Sequence, residues 1–411
     1  MSWNQVTIME EKHRFVSLAA TGRFTFTELC ADFHVSRKTG HKWWSRYCEE
    51  GATGLREHSR RPHGCAHQTA LRIEQLILRE RRKHRTWGPK KLRRLLRRDH
   101  GIRRPPACST IAAILHRRGL SQRPRRKPGL YDVPRAALTV PTHPNHVWTV
   151  DFKGWFTLSR NGPRCDPLTV CDLFSRYYLA CRARPNQQFT GTLRAFKKLM
   201  RHHGLPKIIR VDNGTPFASL ALGRLSQLSV WWINQGIAVE FMRPASPQEN
   251  GSHERGHRDL KAEATQPPSP TFAAQQRRFD RWQYERNHVR PHEALGQLCP
   301  AQIYRRSQTR LHEHDRIFRY PKDYLVRQVS VSGHLWHEGH NYHLGEVFAN
   351  CRVGLRVDST GRTEVHFANR HLGNLRYDPA EQFRPKASIV PPDHKPLVFP
   401  PTKPHKSKSK V

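Results

Sequence analysis

Lys-Ile-Ile-Arg-Val-Asp-Asn-Gly at 207–214 and Pro-Gln-Glu-Asn-Gly-Ser-His-Glu-Arg at 247–255 bound the stretch on which the fold is read. The first segment is patterned as a short buried strand ending on Asp212, with Asn213-Gly214 breaking it. The second is patterned as a loop running into a helix, with Ser252 as the expected N-cap and Glu254 in the first turn. An acid at a strand end and an acid at a helix start can converge on one point. Upstream, Val-Trp-Thr-Val-Asp-Phe-Lys at 147–153 offers a third, Asp151. Three carboxylates held together repel one another unless cations neutralise them. The pattern therefore points to a divalent-metal site.

The surroundings are strongly basic. The 411 residues carry 72 Lys and Arg against 33 Asp and Glu, a formal charge of +39. An imbalance of that size calls for a polyanionic partner, nucleic acid before membrane. No run of about 18 apolar residues is present, and Met-Ser-Trp-Asn-Gln-Val lacks the apolar core of a signal peptide, so a soluble, cytoplasmic protein with no membrane partner is expected. Nine cysteines without a Cys-x-x-Cys argue against a disulfide framework and against a zinc ribbon or finger. His63 and His67 have ligand-like spacing but no cysteine pair beyond them, and are read as solvated.

Ahead of the acids, residues 1–60 have the outline of a helix-turn-helix unit. Phe26, Leu29, Cys30, Phe33 and Val35 form an apolar face, His34 sits at the turn, and Ser36 caps a helix expected to carry Arg37, Lys38, His41, Lys42 and Arg46 outward as DNA-binding residues. A plain helical hairpin with a solvated basic face would show the same pattern. Residues 68–120 read as a second helical DNA-binding unit, with Leu71, Ile73, Leu76 and Ile77 on one helix and Leu92, Leu95 and Leu96 on the next. Ser109 is the expected cap of a third helix holding Ile111, Ile114 and Leu115. Residues 121–144, which include the Arg-, Lys- and Pro-rich Gln122–Pro128, form a basic linker.

From Asn145 the period becomes that of strands. Trp148, Val150 and Phe152 alternate with Thr149, Asp151 and Lys153, and strands at Pro167–Asp172 and Ser175–Cys181 follow. A helix with Phe189, Leu193, Phe196 and Met200, the 207–212 strand, a helix near 219–235, a strand at Ile237–Met242 and the helix from 252 complete a mixed α/β sheet over 145–265. Residues 266–310 are a helical extension. Residues 318–380 read as a small β module, barrel-like or sandwich-like, and 385–411 as a disordered basic tail. The fold class is thus multidomain: all-α units, then an α/β core, then a small β module.

Each acid taken alone has an ordinary explanation. Asp151 could be a polar residue on an exposed sheet face, Asp212 the start of an Asp-Asn-Gly turn, and Glu254 a first-turn acid matching the helix dipole. Four motifs in order argue otherwise. Val-Trp-Thr-Val-Asp151-Phe-Lys-Gly, Cys-Asp172-Leu-Phe-Ser-Arg-Tyr, Val-Asp212-Asn-Gly-Thr-Pro-Phe and Pro-Gln-Glu-Asn-Gly-Ser-His-Glu254-Arg-Gly-His-Arg-Asp-Leu-Lys resemble the integrase catalytic core. That RNase H-like core is shared by retroviral integrases and bacterial insertion-sequence transposases. Asn-His-Val-Arg-Pro-His-Glu-Ala-Leu at 287–295 and the paired helical units resemble the transposase branch, and the similarity runs over about residues 10–305.

The resemblance implies a DDE recombinase binding two Mg²⁺ ions, which Mn²⁺ can replace, through Asp151, Asp212 and Glu254. Such an enzyme cleaves at the 3′ ends of an element and joins the freed hydroxyls to target DNA, working as an oligomer on double-stranded DNA in a bacterial nucleoid. It also implies DNA contact by Arg258 and Lys261, four and seven positions beyond Glu254 on its helix, and by Asn250. Asn213 is assigned to the turn, and Asp172 to a structural role facing Ser-Arg-Tyr. The interval from Asp212 to Glu254 is longer than is usual for this core. The excess is placed around Leu220–Trp232, and Glu249 is kept as the rival ligand. A DNA-binding regulator or remnant without chemistry, and a nuclease without strand transfer, are the competing functions.

Overall fold

A computed structural model describes residues 7–57, 68–121, 138–159, 162–242, 251–313, 318–378 and 386–390. His63, His67, Gln122–Pro128, Glu249, Asn250 and the tail beyond 390 lie outside the described residues. The chain divides into two compact units, 1–73 and 74–411.

In the first unit, helices α1 (Ile8–Ala20), α2 (Phe26–Asp32) and α3 (Arg37–Glu50) close on Phe15, Val16, Leu29, Cys30, Trp43 and Leu55. Reciprocal capping boxes at Thr7/Glu10 and Thr25/Glu28 start α1 and α2, and Ser36 caps α3. His34 takes the left-handed turn between α2 and α3 at φ 51°. A Cβ at Gly40 would stand 2.6 Å from Cys30 Sγ, so glycine is what lets α3 settle on α2. Arg37, Lys38, His41 and Lys42 are exposed on α3. Arg46, expected outward, is instead half-buried, with its guanidinium 5.3 Å from the Trp43 ring centre. The inward-turned indole offers a cation-binding face there.

Helix α4 (Leu71–Lys83) is followed by α5 (Pro89–Arg98) and α6 (Cys108–Arg117), which bury Ile77, Leu92, Leu95, Leu96, Ile111, Ile114 and Leu115. Leu71, expected on the apolar face, is exposed at the end of its helix. Helix α6 starts at Cys108 with Ala107 in the N-cap position, so Ser109 lies inside the helix and does not cap it.

The central sheet contains β1 (Val147–Phe152), β2 (Phe156–Thr157), β3 (Arg164–Asp172), β4 (Tyr178–Arg184), β5 (Ile208–Val211) and β6 (Ala238–Phe241). Its main order is β4-β3-β1-β5-β6, with β2 against the start of β3. β3 is antiparallel to both β1 and β4, while β1, β5 and β6 run parallel. One face packs Trp148, Val150, Leu168 and Val170 against α7 (Phe189–His203) and α8 (Gln227–Asn234). The other packs Cys171, Tyr178 and Cys181 against α9 (Gly251–Ala264) and α10 (Phe272–Tyr284). A short α11 (Pro300–Ile303) follows.

Three boundaries differ from expectation. β4 starts at Tyr178 because Ser175 turns back to bond Asp172 through its N–H and hydroxyl. α8 starts only at Gln227, after an irregular run. α9 begins at Gly251, one residue early, so Ser252 lies within its first turn rather than in the N-cap position.

The C-terminal strands are β7 (Leu325–Gln328), β8 (His334–His337), β9 (His340–His343), β10 (Arg352–Val357), β11 (Thr363–Phe367), β12 (Arg370–Asp378) and β13 (Lys386–Val390). They form an antiparallel sheet in the order β13-β12-β11-β10-β7 and a separate β8–β9 hairpin; among the described residues the sheet is open, not a closed barrel. Its core of Val353, Leu355, Val365, Phe367 and Leu372 is continuous with Leu225 and Val230 from the connection that follows β5.

Candidate active site

Parallel pairing of β1 with β5 sets Thr149 opposite Arg210. Two residues further on, at the carboxyl ends of both strands, Asp151 and Asp212 come level. In α/β sheets such strand ends are where ligands are received. Asp151 lies on the face toward α9, because the alternation that buries Trp148 and Val150 beneath α7 and α8 turns Thr149 and Asp151 the other way. Gly214 N donates to Asp212 Oδ1 at 3.2 Å, and Asn213 reaches across to Met242 O at 2.8 Å, tying the β5 and β6 ends together.

Glu254, exposed in the first turn of α9, completes the group. Burial first, then the charges of Asp212 and Glu254, push the Asp151 carboxyl up to about 7. Asp212 is also raised by burial. The three acids are thus within electrostatic reach of one another, although their oxygens do not form a group lying mutually within 4.8 Å. An all-carboxylate donor set matches hard divalent cations such as Mg²⁺.

Beneath the acids lies a layer not expected from the sequence. His253 and His257, four apart on α9, face the sheet with Leu260 and Ala264. Thr169, opposite Asp151 in the β1–β3 ladder, contacts His253 Nε2 at 2.6 Å, His257 Nε2 at 2.7 Å and Asp151 O at 3.0 Å; Thr149 contacts His253 Nδ1 at 2.8 Å. A hydroxyl has one hydrogen and two lone pairs, so when Thr169 donates to Asp151 O both imidazoles donate their Nε2–H to it. His257 Nδ1 then faces Asp151 Oδ2 at 3.6 Å. Burial holds His253 at about 3 and His257 at about 2, so neither supplies a positive charge to the acids near neutral pH. The one signal in the sequence is that 253, 257, 260 and 264 trace one helical face.

Arg258 and Lys261 are exposed on the same side of α9 as Glu254. Lys153, missing from the expected set, has its pKa lowered by burial and by Lys261 and raised by Asp151, so it stands between them electrostatically. Asp172 is fully buried and accepts from Asn145 N and Ser175 N, each at 2.8 Å; it holds the β3–β4 turn and takes no part in the acid group.

The chain matches two models described as integrase core domain, over residues 141–247 and 235–300. It also matches a helix-turn-helix domain over 11–63 and a homeodomain-like domain over 39–115. An insertion element IS407 uncharacterized 31.7 kDa protein of Burkholderia multivorans is 28% identical over 194 residues, 47% of this chain and 67% of that protein. An insertion element IS476 uncharacterized 39.2 kDa protein of Xanthomonas euvesicatoria is 27% identical over 223 residues, 54% of this chain and 61% of that one. The HTLV-2 integrase catalytic core, solved with magnesium, is 18% identical, covers 40% of this chain and 98% of its own, and gives a TM-score of 0.32. A chain of a simian T-cell lymphotropic virus intasome, solved in complex with PP2A regulatory subunit B56 gamma, is 16% identical, covers 72% of this chain and 97% of its own, and gives a TM-score of 0.36. The chain therefore carries an integrase core domain behind N-terminal helix-turn-helix domains.

Proposed function

We propose that this protein is a DNA transposase that cleaves the 3′ ends of its element and joins the freed 3′ hydroxyls to target DNA. The observation that carries the reading is the convergence of Asp151, Asp212 and Glu254 at the ends of β1, β5 and the start of α9. Asp151, Asp212 and Glu254 would hold the two Mg²⁺ or Mn²⁺ ions. When bound, such a pair supplies Lewis-acid activation of the attacking oxygen and charge neutralisation at the leaving one. The chain's own residues position the reaction. The strand ends fix the two aspartates, the Thr169–histidine layer holds α9 and Glu254 over them, and Lys153, Arg258 and Lys261 bind the phosphates of the DNA end. Arg37, Lys38, His41 and Lys42 on α3 supply recognition of the ends. Joining two ends calls for a multimer on DNA.

The test is a Mg²⁺-dependent cleavage and strand-transfer assay, with the DNA flanking the gene as donor and a supercoiled plasmid as target. Joined products from the wild type, with a loss of more than about hundredfold in Glu254→Gln and Asp212→Asn while donor binding persists, are expected. Donor binding without cutting by any form would establish the regulator reading in its place. Cut ends without joined products would establish a nuclease.

A further inference from the structure

Glu364, His366 and His371 bring one ligand atom each to within 4.8 Å of one another on the C-terminal sheet. The alternation along β11 accounts for two of them: Val365 and Phe367 turn into the apolar core, leaving Glu364 and His366 side by side on the opposite face. The third is placed by a fault in the ladder. Val365 pairs with Gly373, and regular register would set His366 against Leu372. The register shifts between Val365 and His366, so His366 pairs with His371 while Leu372 drops into the core, fully buried. Such bulges re-aim side chains.

The donors are preorganised. The His366 and His371 rings lie 5.0 Å apart at 24°, and Glu364 Oε2 is 3.0 Å from His366 Nε2. Asn374 Oδ1 accepts from His371 Nε2 at 3.1 Å, which orients the ring and leaves Nδ1 with its lone pair. Tyr324 packs edge-on to His366 at 5.3 Å, and all three ligand residues are half-buried. Arg356 Nη2 is 2.8 Å from Glu364 Oε2, but its side chain is 42% exposed and can turn outward to release the carboxylate.

We propose that Glu364, His366 and His371 form a binding site for one divalent transition-metal ion of the zinc class, clamping the β11–β12 hairpin. Two imidazoles and one carboxylate are the donors that favour Zn²⁺ over Mg²⁺, which sets this site apart from the all-carboxylate group of the core. The open fourth position is filled by water or by a side chain from a bound partner.

The experiment is equilibrium dialysis of the full chain against Zn²⁺ in the presence of excess Mg²⁺, with metal content measured per chain. Wild type is compared with the His366→Ala/His371→Ala pair, both in an Asp212→Asn background that weakens the core site. One fewer tightly held zinc in the pair is expected, together with loss of the visible absorption that Co²⁺ gives in the wild type. Equal zinc content and affinity in the two proteins would overturn the site and leave a hydrogen-bonded patch under Tyr324. Should the pair fail to fold, Asn374→Ala keeps all three ligands. It is expected to weaken zinc binding by about tenfold or more, and unaltered affinity there overturns the proposal equally.

Discussion

Asp151 sits where a carboxylate is least comfortable, half-buried and beside two other acids, with only neutral imidazoles beneath it. Removing its charge should therefore separate activity from stability. Asp151→Asn is expected to abolish strand transfer yet raise the unfolding free energy in chelator at pH 8 by roughly 1–3 kcal/mol, as read by urea denaturation; a destabilised variant would contradict the electrostatic account. The placement of Asp151, Asp212 and Glu254 at element ends was legible in the sequence because strand and helix periodicities set where those elements stop and start. The histidines were not read because a polar residue at an inward helical position looks like a surface residue until its hydrogen-bond partners, here Thr149 and Thr169 from two other strands, are known. Arg46 was misread for the reverse reason: its spacing is that of the solvent face, but the half-buried guanidinium covers Trp43.

One flank of helix α9 is closely held, and that fixes Glu254. A Cβ at Gly256 would stand 1.7 Å from Tyr178 Oη. Along the same flank, Asp259 bonds Arg286 at 2.8 Å and Arg290 at 2.9 Å, and Glu263 bonds Arg290 at 3.0 Å, Trp282 Nε1 at 2.9 Å and the Thr86 hydroxyl. Lys91 of α5 is half-buried near this network, and desolvation brings it down to about 8. Gly256→Ala should thus lift α9, costing about 1–3 kcal/mol and most of the cleavage activity. Tyr178→Phe in the same chain should restore part of both, by thermal melting and donor cleavage. On the outer face of the same helix, Lys261→Ala should reduce the slope of log affinity for donor DNA against log salt by about 1, measured by fluorescence anisotropy. The succession of strands and helices along the chain followed from alternation and spacing, whereas the order of strands within the sheet came only from their pairing. Helix α8 was drawn too long because Leu222 and Leu225 prolong an apolar pattern whose purpose is packing against the C-terminal sheet, a partner more than a hundred residues away.

Taken whole, unit 74–411 buries a histidine that must stay neutral to remain folded. His203 packs in the core beside Tyr304, with Nδ1 3.2 Å from the phenol oxygen, and burial lowers it to about 4. Its contribution is complete above the unfolded value near 6.5 and is lost as pH falls toward 4, since the unfolded chain takes up the proton first. Midpoints of urea unfolding should decline over that window and decline less in His203→Gln. The described residues include no helix long and apolar enough to cross a membrane. Charge and motif order made the molecule's class legible, whereas the sharing of cores was not, because it depends on contacts between distant segments. Leu225 and Val230, between Asp212 and Glu254 in sequence, belong to the same apolar cluster as Val353 and Leu372. The three-helix first unit, by contrast, has a core of its own. Heredity should feel that difference. A crossover between related genes that exchanges only the first unit should leave a working body, whereas a crossover near residue 318 should hand the body a tail whose side chains were shaped against another partner.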